Sequence, residues 1–238
     1  MTPTLELVVL DMAGTTIDDR HEVYRVLRAA VEREGARIDE PTFQQWMGTE
    51  KRTAIANLLA LGGVAASEER VAAAFTWFLL ELRRSYTESP PVPLPGVEEA
   101  LGVLRGRGIA LGLTTGFSRE ITELILTGLG WSVGPESTAP PGAVGVDVVV
   151  CGDEVAEGRP APLMIAEVMR RTGVTDPARV ASVGDTAVDV ASARRAGALA
   201  VGVLTGKLTR EGHEAAGADL VLDSVADLPS LPVAGGQD

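Results

Sequence analysis

The spacing of apolar positions changes along this chain and divides it into parts. Leu5–Asp11 is an apolar run, too short for a helix, that ends in a carboxylate; it predicts a buried strand. From about 20 to 88 the period becomes helical. Val23, Val26, Leu27, Ala30 and Val31 fall at i, i+3, i+4, i+7 and i+8, and Val71, Ala74, Phe75, Phe78, Leu79 and Leu82 form a second such stripe. Phe75, Trp77 and Phe78 read as core of this helical insert. The insert closes on Ser89-Pro-Pro-Val-Pro-Leu-Pro-Gly96, a stiff, helix-breaking segment. That segment and the residues after Thr16 read as two sides of a hinge.

Beyond the hinge, helical and strand-like segments alternate. The pattern predicts helix 96–107, strand 109–114, helix 118–129, a Pro/Gly-rich loop over 132–145 and strand 146–151. It continues with helix 162–172, strand 180–184, helix 187–196, strand 198–203 and a weak strand 219–222, and residues 234–238 read as disordered. Such alternation predicts an α/β fold with a doubly wound, Rossmann-like parallel sheet. The expected organisation is a core of residues 1–16 and 93–238 carrying a helical insert, 17–92.

Composition narrows the chemistry. Of 238 residues, 45% are hydrophobic, enough for a sizeable core, and the formal charge is −12. That balance argues against nonspecific nucleic-acid or anionic-membrane binding. An anionic substrate therefore needs local compensation from a metal or a few placed cations. The one cysteine, Cys151, excludes an internal disulfide framework and reads as a buried structural thiol. With no leader-like or membrane-spanning stretch, the chain reads as soluble and cytoplasmic.

Four groups then fall at predicted strand ends or beside helices: Asp11; Thr114-Thr115-Gly116; Gly158-Arg159-Pro160; and Gly184-Asp185-Thr186-Ala187-Val188-Asp189. Parallel strands point their carboxyl ends one way, so these groups can share a crevice. A carboxylate can attack phosphorus, and two anions approach each other only with help, which calls for an oxygen-bound Mg²⁺. Asp11 and Asp185 can supply two carboxylates and the Ala13 carbonyl a third oxygen. Asp189 can support the metal or merely charge a helix start. Thr114, Thr115 and nearby backbone N–H groups can hold phosphoryl oxygens, and Arg159 stays protonated beside them.

Asp-x-x-Gly-Thr, Thr-Thr-Gly, Gly-Arg-Pro and Gly-Asp-Thr-x-x-Asp, in this order, resemble the haloacid dehalogenase superfamily, with the insert resembling its helical cap. Most members have Asp two residues after the nucleophile and Lys in the third motif; this chain has Ala13 and Arg159. Both exchanges resemble the phosphonatases, as do Met47-Gly48-Thr49-Glu50-Lys51 and Arg159-Pro160-Ala161-Pro162-Leu163-Met164. The resemblance implies a Schiff base between Lys51 and a substrate carbonyl, attack by Asp11 on phosphorus, and carbon leaving as an enamine. Ala13 is then intelligible, because an enamine needs no acid beside the nucleophile, whereas a leaving alkoxide does. Lys51 must be neutral to attack, so its pKa is expected to be depressed by desolvation or by cations such as Arg52.

The family's His three residues after the lysine is Ala54 here, its Tyr after Thr-Thr-Gly is Phe117, and a Cys ten residues past the nucleophile is His21. His21, Met47, Gly48 and Phe117 are the expected substrate-side positions. These departures point to a phosphonatase-like relative acting on another 2-oxo-phosphonate. The resemblance also implies pairing of two copies through their caps. Two other readings stay open on the sequence: a phosphomonoesterase of the phosphoglycolate phosphatase kind, and a non-catalytic phosphate-binding protein on the same fold.

Overall fold

The computed structural model describes residues 4–134 and 144–231. Its centre is a six-stranded sheet in the order β10-β9-β8-β1-β4-β7, every neighbouring pair parallel. The strands are β1 (Leu7–Asp11), β4 (Ala110–Thr115), β7 (Val148–Cys151), β8 (Val180–Gly184), β9 (Leu199–Val203) and β10 (Leu220–Leu222). β1 lies between β4 and β8. All five of its side chains are buried. They alternate between two cores: Val8 and Leu10 face one, Leu7 and Val9 the other. α5 (Val97–Gly106) and α6 (Arg119–Leu129) pack into the first; α7 (Leu163–Thr172) and α8 (Ala187–Ala196) pack into the second. The sheet is thus covered on both sides, which is why its strands read as continuous apolar runs. α9 (Arg210–Ala216) precedes β10.

The helical insert comprises α1 (Glu22–Arg33), α2 (Glu40–Gln44), α3 (Lys51–Leu61) and α4 (Glu68–Glu88). Phe78 is buried in it, and Phe75 stacks on Phe78 with ring centroids 6.2 Å apart. The hinge forms more structure than its sequence suggests. β2 (Ile17–Asp18) and β3 (Val92–Pro93) pair antiparallel, tying the two crossings together. Arg20 reinforces the tie, donating to the carbonyls of Ser89 at 2.6 Å and Pro90 at 3.1 Å.

The expected loop over 132–145 is partly a difference. β5 (Ser132–Val133) and β6 (Gly145–Val146) pair in parallel, while its middle, 135–143, lies outside the described residues. The expectation for 234–238 lies outside them too. Among the described residues, no helix is long and apolar enough to cross a membrane.

Candidate active site

Register brings the chemistry together. Asp11 closes β1 directly beside Thr114 on β4. Asp185 follows the last residue of β8, and Asp189 sits one turn into α8. One carboxylate oxygen from each of Asp11, Asp185 and Asp189 lies within 4.8 Å of the others, and all three residues are buried. Arg159 reaches into the cluster. Its Nη1 donates to Asp11 Oδ1 at 2.5 Å and lies 3.0 Å from Asp189 Oδ1, and its Nη2 donates to Thr114 Oγ1 at 2.8 Å. The Arg159–Pro160 peptide bond is cis.

Burial pushes the Asp11 carboxyl up to about 6, against the pull of Arg159 and with a further push from Asp189. Burial also drives Asp185 well above the carboxylate range, followed by repulsion from Asp11 and Asp189. If all three carboxylates ionise, the single guanidinium leaves a surplus of two negative charges in a buried site. A divalent cation with a preference for oxygen removes that surplus, so the donor set fits Mg²⁺. Ala13 lies in the turn after β1, bridged to Ile17.

Asp189 faces Arg159 and caps α8, accepting from the Thr186 N–H at 3.1 Å and from the Thr186 hydroxyl. Thr115 does not share the placement of Thr114. Successive strand residues face opposite ways, and the Thr115 hydroxyl accepts from the Phe117 N–H at 3.1 Å, closing its own turn.

The insert supplies Lys51. Glu50 caps α3, accepting from the N–H groups of Arg52 and Thr53 at 2.7 Å each, so the helix begins at the lysine. Lys51 is 4% exposed, and its Nζ donates to the Thr49 carbonyl at 2.6 Å. The ammonium lies 5.8 Å from the centre of the Phe117 ring. Burial lowers its pKa to about 8, against the pull of Asp11 and Glu50. Arg52 is not the cation responsible, contrary to expectation. It pairs outward with Glu68, and Arg159 is the cation that acts on Lys51.

Two glycines let the segment carrying Lys51 seat against the core. A Cβ on Gly116 would stand 2.6 Å from the Thr49 carbonyl oxygen and 3.0 Å from Lys51 Nζ. Gly48, at φ +76°, would drive a Cβ to 2.8 Å from both Thr186 Oγ1 and Val188 Cγ2. Met47 is buried next to it and lines a cavity that reaches Asp185. His21 is drawn in least. It begins α1 at φ +59°, its side chain is exposed, and among the described contacts its imidazole bonds to no site residue. Cys151 is the buried thiol expected, its pKa pushed up to about 11 by burial.

Several residues at the site escaped the sequence reading. Thr15, the threonine of Asp-x-x-Gly-Thr, donates to Asp185 Oδ1 at 3.1 Å; its signal lay inside the quoted motif. Asp19 is buried at the hinge and accepts from the Tyr86 hydroxyl at 2.7 Å and the Val23 N–H at 2.9 Å. Tyr86 packs edge-on against Phe117, centroids 6.3 Å apart. Burial, then the charges of Asp185 and Asp11, push the Tyr24 phenol well up.

The family model for haloacid dehalogenase-like hydrolases matches residues 5–197. The chain belongs to this family. The hydrolase is 30% identical to a Bacteroides fragilis protein named phosphonoacetaldehyde hydrolase, over 95% of each chain. Its fold matches the structure of a phosphonoacetaldehyde hydrolase-like protein from Oleispira antarctica, with TM-score 0.75 and 25% identity over 96% of this chain and 91% of that one. It also matches β-phosphoglucomutase from Clostridium difficile, with TM-score 0.77 and 20% identity over 94% and 93% of the two chains. That last likeness speaks for the fold alone.

Proposed function

We propose that this hydrolase cleaves the carbon–phosphorus bond of a 2-oxo-alkylphosphonate. The observation that carries the reading is Lys51, a lysine buried at the site with a pKa lowered by burial and its Nζ bonded to the Thr49 carbonyl. In this reading residues 17–92 act as a cap over a core of 1–16 and 93–238. Lys51 Nζ, in its neutral form, adds to the substrate carbonyl, and loss of water gives a protonated imine. Asp11 attacks phosphorus. The electrons of the broken C–P bond move toward the iminium nitrogen, leaving an enamine on Lys51 and a phosphoryl group on Asp11. The enamine carbon takes a proton, and water releases the carbonyl product from Lys51. A second water releases phosphate from Asp11.

Arg159 and Thr114 orient the phosphoryl oxygens, together with backbone N–H groups of the Thr115-Gly116 turn. Mg²⁺, held by Asp11, Asp185 and the Ala13 carbonyl with Asp189 in support, would neutralise charge between nucleophile and phosphoryl group. Ala13 puts no acid beside the nucleophile, which suits a carbon leaving group and handicaps an alkoxide. Met47, Gly48 and Phe117 shape the closed site around Lys51.

Borohydride reduction in the presence of phosphonoacetaldehyde, or of its methyl-ketone analogue 2-oxopropylphosphonate, tests the reading. The expected result is a covalent adduct mapped to Lys51 and phosphate release that depends on Lys51. Absence of an adduct with either compound, with phosphate release undiminished in Lys51→Ala, would falsify it.

A further inference from the structure

The hydrolase has only two lysines, Lys51 and Lys207, among its 21 basic residues. Lys51 sits in the candidate site; Lys207 follows β9 on the loop to α9. Lys207 lines a cavity of about 140 Å³ on the seam between insert and core. That is about ten times the roughly 10–15 Å³ a single water needs on such a measure. Gln44, Gln45 and Met47 come from the insert side, and Leu208 and Lys207 from the core side. The inner wall includes Asp185, one of the three clustered carboxylates.

Lys207 is weakly engaged. Its Nζ stands 3.7 Å from Glu40 Oε1, and its side chain is 47% exposed. Glu40 is already committed elsewhere, accepting from Arg28 at 2.6 Å and from Gln44 at 3.2 Å. A half-exposed cation at this seam therefore has little to lose by exchanging its partner. The molecule carries −12 overall, so a phosphate-like dianion meets an unfavourable field on most approaches. A positive charge on the lining of this cavity changes that field beside Asp185.

We infer that this cavity is the passage for phosphate-class anions between solvent and the carboxylate site, with Lys207 the cation that draws them along it. The amide groups of Gln44 and Gln45 supply further donors, and Lys207 trades Glu40 for the passing anion. The inference rests on the reading that a phosphoryl group is handled at Asp11, but not on which bond to phosphorus is cleaved.

Exchange of inorganic phosphate with the Mg²⁺-loaded protein, followed by ³¹P NMR across a salt series, tests it. Charge reversal in Lys207→Glu is expected to slow phosphate association by about three- to ten-fold at low salt and to flatten the salt dependence. Glu40→Gln, which removes the competing carboxylate, is expected to speed it. Thermal melts establish that both variants fold. Exchange rates and salt slopes equal to wild type in both variants overturn the proposal. So does failure of phosphate to bind the wild-type protein, which would also remove the phosphoryl site. Normal binding with the expected variant effects, but no cleavage of 2-oxo-alkylphosphonates, leaves the passage standing and removes only the proposed reaction.

Discussion

The floor and the roof of the site handle buried charge in opposite ways. On the core side Asp11, Asp189, Arg159 and Thr114 form a closed network in which one guanidinium serves three oxygens. On the insert side Lys51 is buried with one backbone carbonyl as its hydrogen-bond partner. The floor keeps its arginine charged, since a guanidinium does not yield its proton. The roof makes the proton of its lysine easy to lose, because burial without a paired carboxylate penalises the ammonium. Electrostatic clamping and nucleophilic amine chemistry thus call for different cations in different surroundings.

The sharpest way to break the comparison is to remove the proposed nucleophile from the floor. Asp11→Asn is expected to reduce phosphate release by about 10⁴-fold or more while Lys51 still forms its borohydride-trapped adduct. On the roof, Lys51→Arg keeps the charge and would forfeit the proposed imine. It is expected to lose about 10³-fold in C–P cleavage with phosphate binding retained, measured by parallel turnover and calorimetry. With Lys51 intact, kcat/KM is expected to rise with pH toward a plateau above about 8, as the ammonium lowered by burial gives up its proton. A rate that falls through this range would contradict a neutral amine.

Gly116→Ala probes the seat between the two halves. The added methyl meets the Thr49 carbonyl oxygen, so kcat/KM is expected to fall by about 10–100-fold with little change in melting temperature. Tyr86→Phe removes a buried hydroxyl from Asp19 at the hinge. A loss of about 1–2 kcal/mol is expected, read as a shift in the urea midpoint. The smallest effect is expected at a buried histidine of α9. His213 is buried with Nε2 3.1 Å from the Val203 carbonyl and Nδ1 without a hydrogen-bond partner, and burial lowers its pKa. The unfolded chain therefore binds the extra proton first, so stability is expected to fall as pH drops below about 6.5, and His213→Gln to flatten that slope.

Part of the floor was legible because Asp11 and Asp185 each follow an apolar run that stops at a polar side chain, whereas Arg159 and Asp189 were marked only by their motifs. The roof was legible mainly through the Met-Gly-x-x-Lys resemblance. A second signal was present: Lys51 occupies the first position of an i, i+3, i+4, i+7, i+8 stripe completed by Ala54, Ile55, Leu58 and Leu59, all buried. A lysine in register with a buried stripe is a candidate for burial itself. The β2–β3 ladder stayed hidden because two-residue strands carry no period, and Pro93 argues locally against a strand. Asp19 and Tyr86 meet across 67 positions of sequence, a distance over which no local pattern reports contact. For His21 the place in the chain supplied only a position; the structure shows an exposed left-handed residue at the start of α1.

The glycine seat has a further consequence. The Thr49 backbone rests on Gly116 with no side chain between them, so the depth to which the lysine is lowered is set by main chain against main chain. In the proposed reaction the contact would act as a mechanical stop. Side chains around the pocket can be exchanged to suit a different organic group without resetting how far the amine descends. Substrate range and reach of the amine are therefore separate dials, and divergence among relatives can turn the first while the second stays fixed.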